Sequence, residues 1–260
     1  MSILSLVAIG AIAFLGAMLT FFSGFGLGTL LLPVFLVFFP VEWAIAMTGV
    51  VHLANNLFKS GLVGRYADWR VVLGFGLPAL GGAWIGAMLL GRLSHLQPLA
   101  SYGLGDQVWE ISPIKLIVAS LIAIFAIIEL LPEHRQLVFS RRSLPFGGLL
   151  SGFFGGLSGH QGALRSAFLI RLGLTKESFI ASGILIALGI DIVRLLTYGT
   201  SGWLHLPADV LPALGVGISC AITGAFLGRQ WLRKTTLPAL QRFVALTILL
   251  MAVALALGWV

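Results

Sequence analysis

Charged residues are scarce in this sequence. Asp, Glu, Lys and Arg together make up 10% of the 260 residues, whereas 58% of the residues are hydrophobic. A soluble domain carries about a quarter charged residues, so this chain lacks the polar surface that would keep it in water. The composition therefore excludes an ordinary soluble domain and predicts a membrane bundle of roughly eight helices, since each crossing takes about 20 residues.

Cysteine is also nearly absent, which limits the chemistry that the chain can perform. Cys220 is the single cysteine, so neither an internal disulfide nor a thiolate metal site can form. Histidines and carboxylates do not cluster at metal-ligand spacing, and no nucleophile–base signature of an enzyme is present. We therefore predict no catalytic residue, no metal and no cofactor.

The formal net charge of +7 raises the question of nucleic-acid binding. The basic residues are scattered singly between apolar segments and form no patch with interleaved aromatics, which argues against that partner. In a membrane protein such an excess is typical of cytoplasmic loops. The first 22 residues lack a basic start and a small-residue cleavage site, so we interpret them as mature structure and not as a signal peptide.

Residues 1–41 contain no charged side chain at all. As one helix this segment would be about 60 Å long, twice the hydrocarbon core, so it must break and turn back. The glycine-rich stretch Ser23-Gly24-Phe25-Gly26-Leu27-Gly28 is the expected break, because glycine is a poor helix former. In the first part of the chain, the sequence predicts a hairpin near 3–39 and helices near 43–63, 71–91 and 113–131. In the second part it predicts a hairpin near 144–172 and helices near 175–198, 208–229 and 240–258.

An internal repeat relates residues 1–132 to residues 133–260. A shift of about 135 residues superposes Asn56 on Asp191 and Lys59 on Arg194. At nearly the same shift, Leu77-Pro78-Ala79-Leu80-Gly81 recurs as Leu211-Pro212-Ala213-Leu214-Gly215. We therefore predict two related halves, each a broken-helix hairpin followed by three transmembrane helices.

The loop charges set the expected orientation of these halves. The loop after the second element is basic, with Lys59, Arg65 and Arg70, whereas its counterpart near 200–207 has neither Lys nor Arg. The positive-inside rule then requires inverted halves, re-entrant hairpins, and both termini in the periplasm. The alternative is eight simple spans in parallel repeats, which divides the basic residues almost evenly between the two sides.

The hairpin breaks are the predicted binding site. A broken helix in a membrane survives only where it lines a protein-buried or wet cavity, and half-helix N-termini favour anions. The alternative is close packing through small residues, as in Gly152-x-x-x-Gly156. The predicted substrate-binding residues lie at the two breaks and on the helix after the first one: Ser23, Gly24, Gly26, Gly28, Asn55, Asn56, Ser158, Gly159, His160, Gln161, Gly162 and Arg165.

Ionisable residues inside spans suggest coupling to H⁺ or Na⁺. Asp191 and Arg194 share a helix face at i, i+3 and either couple transport or form a structural ion pair. Glu42 is the other candidate for coupling or gating. His52 is balanced between an interhelical hydrogen bond and a site role, and Lys59 is interpreted as reaching the cytoplasmic interface.

The two glycine-rich stretches, Ser23 to Pro33 and Gly152 to Ala163, resemble the paired signatures of the sulfite exporter TauE/SafE family. The resemblance covers essentially the whole chain. It implies transport of sulfite, thiosulfate or organosulfonates such as taurine and isethionate across the bacterial inner membrane. His160 and Gln161 replace the small-residue run that is usual in the second signature.

We therefore predict a multi-pass inner-membrane transporter of small, sulfur-containing anions. Its partners would be the anion and the lipid bilayer. The sequence is also compatible with a homo-oligomer. The alternatives are a membrane-embedded enzyme and an assembly partner without transport activity, for which only the 92–112 loop is long enough to serve as a docking surface.

Overall fold

The computed structural model describes residues 1–20, 26–104, 107–130, 139–170, 172–200, 206–231 and 238–260. Within these ranges the chain forms ten α-helices and one two-stranded hairpin. Three helical segments there are long and apolar enough to cross a membrane: Trp69–Ser94, Lys176–Thr200 and Ala208–Gln230. The predicted class, an all-α integral membrane protein, is confirmed.

Five helices lie in each half of the chain. In the first half they are α1 (Ile3–Leu19), α2 (Leu27–Phe38), α3 (Val41–Val63), α4 (Trp69–Ser94) and α5 (Pro113–Leu130). In the second half they are α6 (Leu144–Ser158), α7 (Gly162–Leu169), α8 (Lys176–Thr200), α9 (Leu211–Trp231) and α10 (Pro238–Ala256). Short 3₁₀ turns lie at Gly64–Tyr66, Arg141–Ser143 and Ala208–Val210.

Helices α6 and α7 form an antiparallel hairpin. Gly159 ends α6 with a φ of 82°, a left-handed conformation that glycine adopts without strain. The Ser151 hydroxyl then donates to the Gln161 carbonyl at 2.9 Å, and Gly147 near the start of α6 lies against the Phe168 ring near the end of α7. The two arms have 15 and 8 residues, about 22 and 12 Å, so neither spans the core of a bilayer.

Helices α1 and α2 form the pair at the first predicted hairpin. Gly26, with a φ of 111°, precedes α2, and Gly16 near the end of α1 packs against Leu27 and Leu30. The 12 residues of α2 correspond to about 18 Å, which is short of a full crossing, whereas the 17 residues of α1, about 25 Å, are at the lower limit of a span. Ser23 and Gly24, predicted at this break, lie outside the described residues.

Glycines let two pairs of helices approach at backbone distance. A Cβ added at Gly148, Gly152 or Gly156 of α6 would overlap the carbonyl oxygens of α4 residues Phe75, Ala79 and Ala83. Gly224 and Gly228 of α9 lie in the same way against carbonyls of α1. The small-residue interpretation of Gly152 and Gly156 thus describes the α4–α6 contact, whereas the hairpin break lies one turn further on.

A β-hairpin between α4 and α5 was not predicted. Strands β1 (Ala100–Leu104) and β2 (Gln107–Ile111) pair antiparallel with Ala100 opposite Ile111. They lie in the segment 92–112, for which the sequence predicts a loop. The Tyr102 hydroxyl donates to the Leu257 carbonyl at 2.7 Å, and Lys115 Nζ donates to the Gly258 carbonyl at 3.2 Å. The hairpin segment therefore packs over the C-terminal end of α10.

The close α4–α6 contact makes a prediction about stability. Gly152→Ala should destabilise the protein by about 1–3 kcal/mol, because the new methyl group must push the Ala79 carbonyl away. Thermal unfolding in detergent measures the effect. Gly81→Ala on α4 is the control, since nothing lies within 4 Å of its Cβ position. Equal melting temperatures for the two variants would contradict the packing assignment.

Candidate functional site

Asp191 is a completely buried carboxylate in the membrane-spanning helix α8. Its Oδ1 accepts from Arg194 Nε at 3.0 Å and Nη2 at 2.8 Å, and from Gln161 Nε2 at 3.2 Å. The predicted contact between Asp191 and Arg194 is therefore present. Gln161, at the turn between α6 and α7, ties the second hairpin to this pair.

The other carboxylate oxygen is held by the first half of the chain. His52 Nδ1 lies 2.6 Å from Asp191 Oδ2, and Asn56 Nδ2 donates to the same oxygen at 3.4 Å. Both residues lie on α3, one turn apart. We refer to His52, Asn56, Gln161, Asp191 and Arg194 as the Asp191 cluster, which joins α3, α8 and the second hairpin.

Glycines make room for the Arg194 guanidinium. A Cβ on Gly159 would lie 2.8 Å from Arg194 Nη1, and a Cβ on Gly49 of α3 would lie 3.2 Å from its Cζ. Arg194 Nη1 also donates to the Gly155 carbonyl at 3.4 Å. A buried charge is stable only when its hydrogen-bonding atoms find partners, and Arg194 finds them in the Asp191 carboxylate and the backbone of the hairpin.

The first turn of α2 lies beside this cluster and next to the turn that joins α6 to α7. The Cβ position of Gly28, in the first turn of α2, lies 3.8 Å from the Gly159 carbonyl oxygen and 4.0 Å from His52 Cδ2. Neither α2 nor α7, which begins at Gly162, has a side-chain hydrogen bond at its N-cap. The first N–H groups of a helix need partners from outside it, and its N-terminus favours anions.

Arg165 lies on α7 and is 3% exposed, so it does not reach a surface. Its Nη1 donates to Gln161 Oε1 at 3.1 Å, which places the Gln161 amide between Arg165 and Asp191. The predicted binding residue Arg165 is therefore buried beside the hairpin turn and is not an interfacial cation.

Lys59 requires a correction. The sequence suggested that this side chain reaches the cytoplasmic interface, but Lys59 is 4% exposed and lies inside the bundle. The physical reason is its helix face: Lys59 follows His52 by two helical turns on α3 and therefore points toward α8 and not toward the lipid.

Four buried polar atoms have no hydrogen-bond partner among the described residues. One is Trp109 Nε1 in the β-hairpin, and the other three are Thr48 Oγ1, Asn55 Oδ1 and His160 Nε2 on helices or the hairpin turn. The His160 ring stacks on Phe125 with an interplanar angle of 1°, and its Nδ1 lies 3.2 Å from the Ser158 hydroxyl. Buried polar atoms in proteins are nearly always satisfied by protein or water, so Thr48, Asn55 and His160 are candidates for contact with water or a ligand.

The structure separates Glu42 from this region. Glu42 is half-buried in the first turn of α3, and ten residues, about 15 Å along the helix axis, separate it from His52. The predicted coupling residues therefore do not form one group.

Two contributors were not among the predicted site residues. His52 makes the shortest contact to Asp191, and the Tyr198 hydroxyl donates to the Gly156 carbonyl. A signal for His52 was present, because Thr48, His52 and Asn56 recur every four residues and share one face of α3. No sequence signal identified Asp191 as their partner.

Comparison with known proteins identifies the family of this chain. No curated protein matches this chain. The family model of the sulfite exporter TauE/SafE matches residues 9–255, a range that contains both helix pairs, the Asp191 cluster and Arg165. The chain therefore belongs to the sulfite exporter TauE/SafE family of membrane transporters.

Proposed function

We propose that the protein is a secondary transporter that moves a small sulfur-containing oxyanion or an organosulfonate across the bacterial inner membrane. The observation that carries this proposal is the approach of the first turn of α2, at Gly28, to the Gly159 turn that leads into α7, beside the buried Arg165 and the Asp191 cluster. Family membership supports anion transport in general, and the site chemistry supports the narrower class of substrate.

The site suits an anion for two reasons. The first N–H groups of α2 and α7 carry the positive ends of the helix dipoles and have no side-chain cap. Arg165 adds a guanidinium fork, whose geometry matches two oxygens of a sulfonate or sulfite group. We assign substrate binding to the previously named residues at the two breaks, with Arg165 and His160 as charge partners.

The helix packing supports the proposed repeat. Helix α4 packs along α6, and α1 packs along α9; these are equivalent contacts if the halves 1–132 and 133–260 correspond. The pairs α3–α8 and α5–α10 are then the contacts of each helix with its own counterpart. We propose that the halves are inverted, with re-entrant hairpins and periplasmic termini, because the basic loops exchange sides between them.

The arrangement is closed around its polar groups. Asp191 is 0%, Gln161 1% and Arg165 3% exposed, so an anion reaches them only after the hairpins move relative to α3 and α8. Such movement about a central site is the expected form of alternating access. We place coupling to H⁺ or Na⁺ at the Asp191 cluster, which contains the predicted Asp191 and Arg194, and not at the distant Glu42.

Transport by purified protein tests the proposed function. Proteoliposomes should take up at least one of sulfite, thiosulfate, taurine, isethionate and sulfoacetate, with saturation and competition among those that share the site. Empty liposomes and liposomes with heat-unfolded protein are the controls. Uptake of none of the five anions by folded protein would refute the substrate class.

The inverted arrangement predicts opposite sides for equivalent loops. In a Cys220→Ala background, single cysteines at Arg70 and Gln230 should be protected from an impermeant thiol reagent added outside spheroplasts, whereas cysteines at Ser101 and Thr200 should react. All four positions are exposed in the structure. Matching reactivity at Arg70 and Thr200 would restore parallel repeats.

Arg165→Lys should weaken anion binding by roughly 1.5–3 kcal/mol, because a lysine cannot reproduce two parallel charge-assisted hydrogen bonds. Equilibrium binding of the transported anion to purified protein measures the change, and the melting temperature controls for folding. Arg70→Lys, at an exposed position, is the matched control. A folded Arg165→Lys protein with wild-type affinity would remove Arg165 from the site.

A further inference from the structure

We propose that His52 carries the transported proton, that the proton binds at Nε2, and that Asp191 is a permanently ionised counter-charge. The proposal rests on the transporter function proposed above and names the coupling site within it. It assigns the role to a residue that the sequence did not select and removes proton binding from Asp191 itself.

The hydrogen bonds of Asp191 identify it as the fixed charge. Five nitrogen atoms surround the carboxylate: two from Arg194 and one each from Gln161, His52 and Asn56. The Arg194 and amide nitrogens can only donate, so both oxygens act as acceptors. Two guanidinium nitrogens and two amide nitrogens therefore donate to this one carboxyl group, a set of donors that fits the ionised form best.

The same geometry determines the state of the His52 ring. Because Asp191 Oδ2 is an acceptor at 2.6 Å, the Nδ1 of His52 bears the hydrogen in that contact. In the neutral ring Nε2 is then the unprotonated nitrogen. Asn56 Nδ2 lies 3.1 Å from Nδ1 and 3.4 Å from Nε2, nearly equidistant, so it is not in line with the Nε2 lone pair.

The His52 ring lies beside the proposed anion site. Cδ2, a carbon next to Nε2, lies 4.0 Å from the Cβ position of Gly28 in the first turn of α2. The His52 side chain is 12% exposed, whereas Asp191 is 0% exposed, so the ring is the more accessible member of the pair. A proton added to this ring therefore places positive charge next to the first turn of α2.

The surrounding charges make this proton responsive to an anion. Several charged or titratable groups lie on the elements around His52. Helix α8 contributes Asp191 and Arg194, and the second hairpin contributes His160 and Arg165, which is hydrogen-bonded to Gln161. Lys59 lies two turns further along α3. Among the described residues, α2 has no ionisable side chain, and α9 carries Cys220, which faces α1, and Arg229 at its far end. With cations prevailing nearby, a bound anion stabilises the imidazolium and the imidazolium stabilises the anion.

The proposed transport step requires only the proton and the anion. The N–H bond at Nε2 forms on the side of higher proton concentration, the anion binds, and after the site opens to the other side both leave. One proton and one anion cross together. Histidine suits this role because an imidazole takes up and loses a proton near neutral pH.

The first experiment needs no substrate. Histidine-selective ¹⁵N labelling in nanodiscs, with His52→Gln to assign the signal, should show the neutral His52 ring protonated at Nδ1 and its second proton arriving at Nε2 as the pH is lowered. The chemical shift of the Asp191 carboxyl carbon should report an ionised carboxylate before and after this change. A neutral ring protonated at Nε2, or a carboxyl group that takes up the proton in place of His52, would overturn the proposal.

The second experiment uses transport. In proteoliposomes, an imposed pH gradient should accumulate a monovalent anion of the five-member panel by about tenfold per pH unit at one proton per anion. His52→Gln should reduce this ratio to about one, and whatever exchange it retains should not vary with pH. His95→Gln, at an exposed position at the end of α4, should behave as wild type.

The outcomes separate this proposal from the proposed function. Accumulation by His52→Gln that still follows the pH gradient, or wild-type accumulation driven by Na⁺ alone, would refute His52 as the proton carrier while leaving transport intact. If wild-type protein carries none of the five anions, the proposed substrate class fails, and the ¹⁵N titration still decides where the proton binds.

Discussion

The central constraint of this structure is a carboxylate that is completely buried in a membrane-spanning helix. An ionised Asp191 is tolerated there only if hydrogen-bond donors replace the water that it has lost. No single helix can supply five donor atoms, so α3, α8 and the turn between α6 and α7 must meet at this point. The Asp191 contacts therefore constrain where the second hairpin and α3 can lie relative to α8.

Glycine makes this meeting sterically feasible in two different ways. Along α4–α6 and α1–α9, glycines bring backbones into contact and thereby fix how closely the hairpins lie against their neighbouring helices. At Gly49 and Gly159 the missing side chain leaves the volume that the Arg194 guanidinium fills. Glycines thus serve both the scaffold and the polar site.

The two proposed halves contribute unequally to the site. At the positions that the proposed repeat relates, the first half has the neutral Asn56 and the second half has Asp191, and these two residues are in direct contact. The second half therefore carries the ion pair, while the first half supplies His52, the proposed proton carrier. Such asymmetry lets one side of the site change its charge while the other keeps its geometry.

Much of the fold was predictable because it depends on local composition. Apolar runs of spanning length predict helices, and clusters of glycine predict the places where helices break, since both properties act within a few residues. The β-hairpin at 100–111 was missed because its strands are short and follow no apolar alternation, and they are stabilised by contacts to the distant residues 257 and 258.

The candidate site also combines features that the sequence predicts with features that it does not. Sequence alone determined the membrane class, the hairpin breaks and the Asp191–Arg194 pair, whose i, i+3 spacing lies within one helical turn. Only the tertiary structure decided that His52 contacts Asp191, 139 residues away, and that Lys59 points inward. The physical reason is that these contacts depend on how α3 crosses α8, which is set by packing across the whole bundle and not by any local pattern.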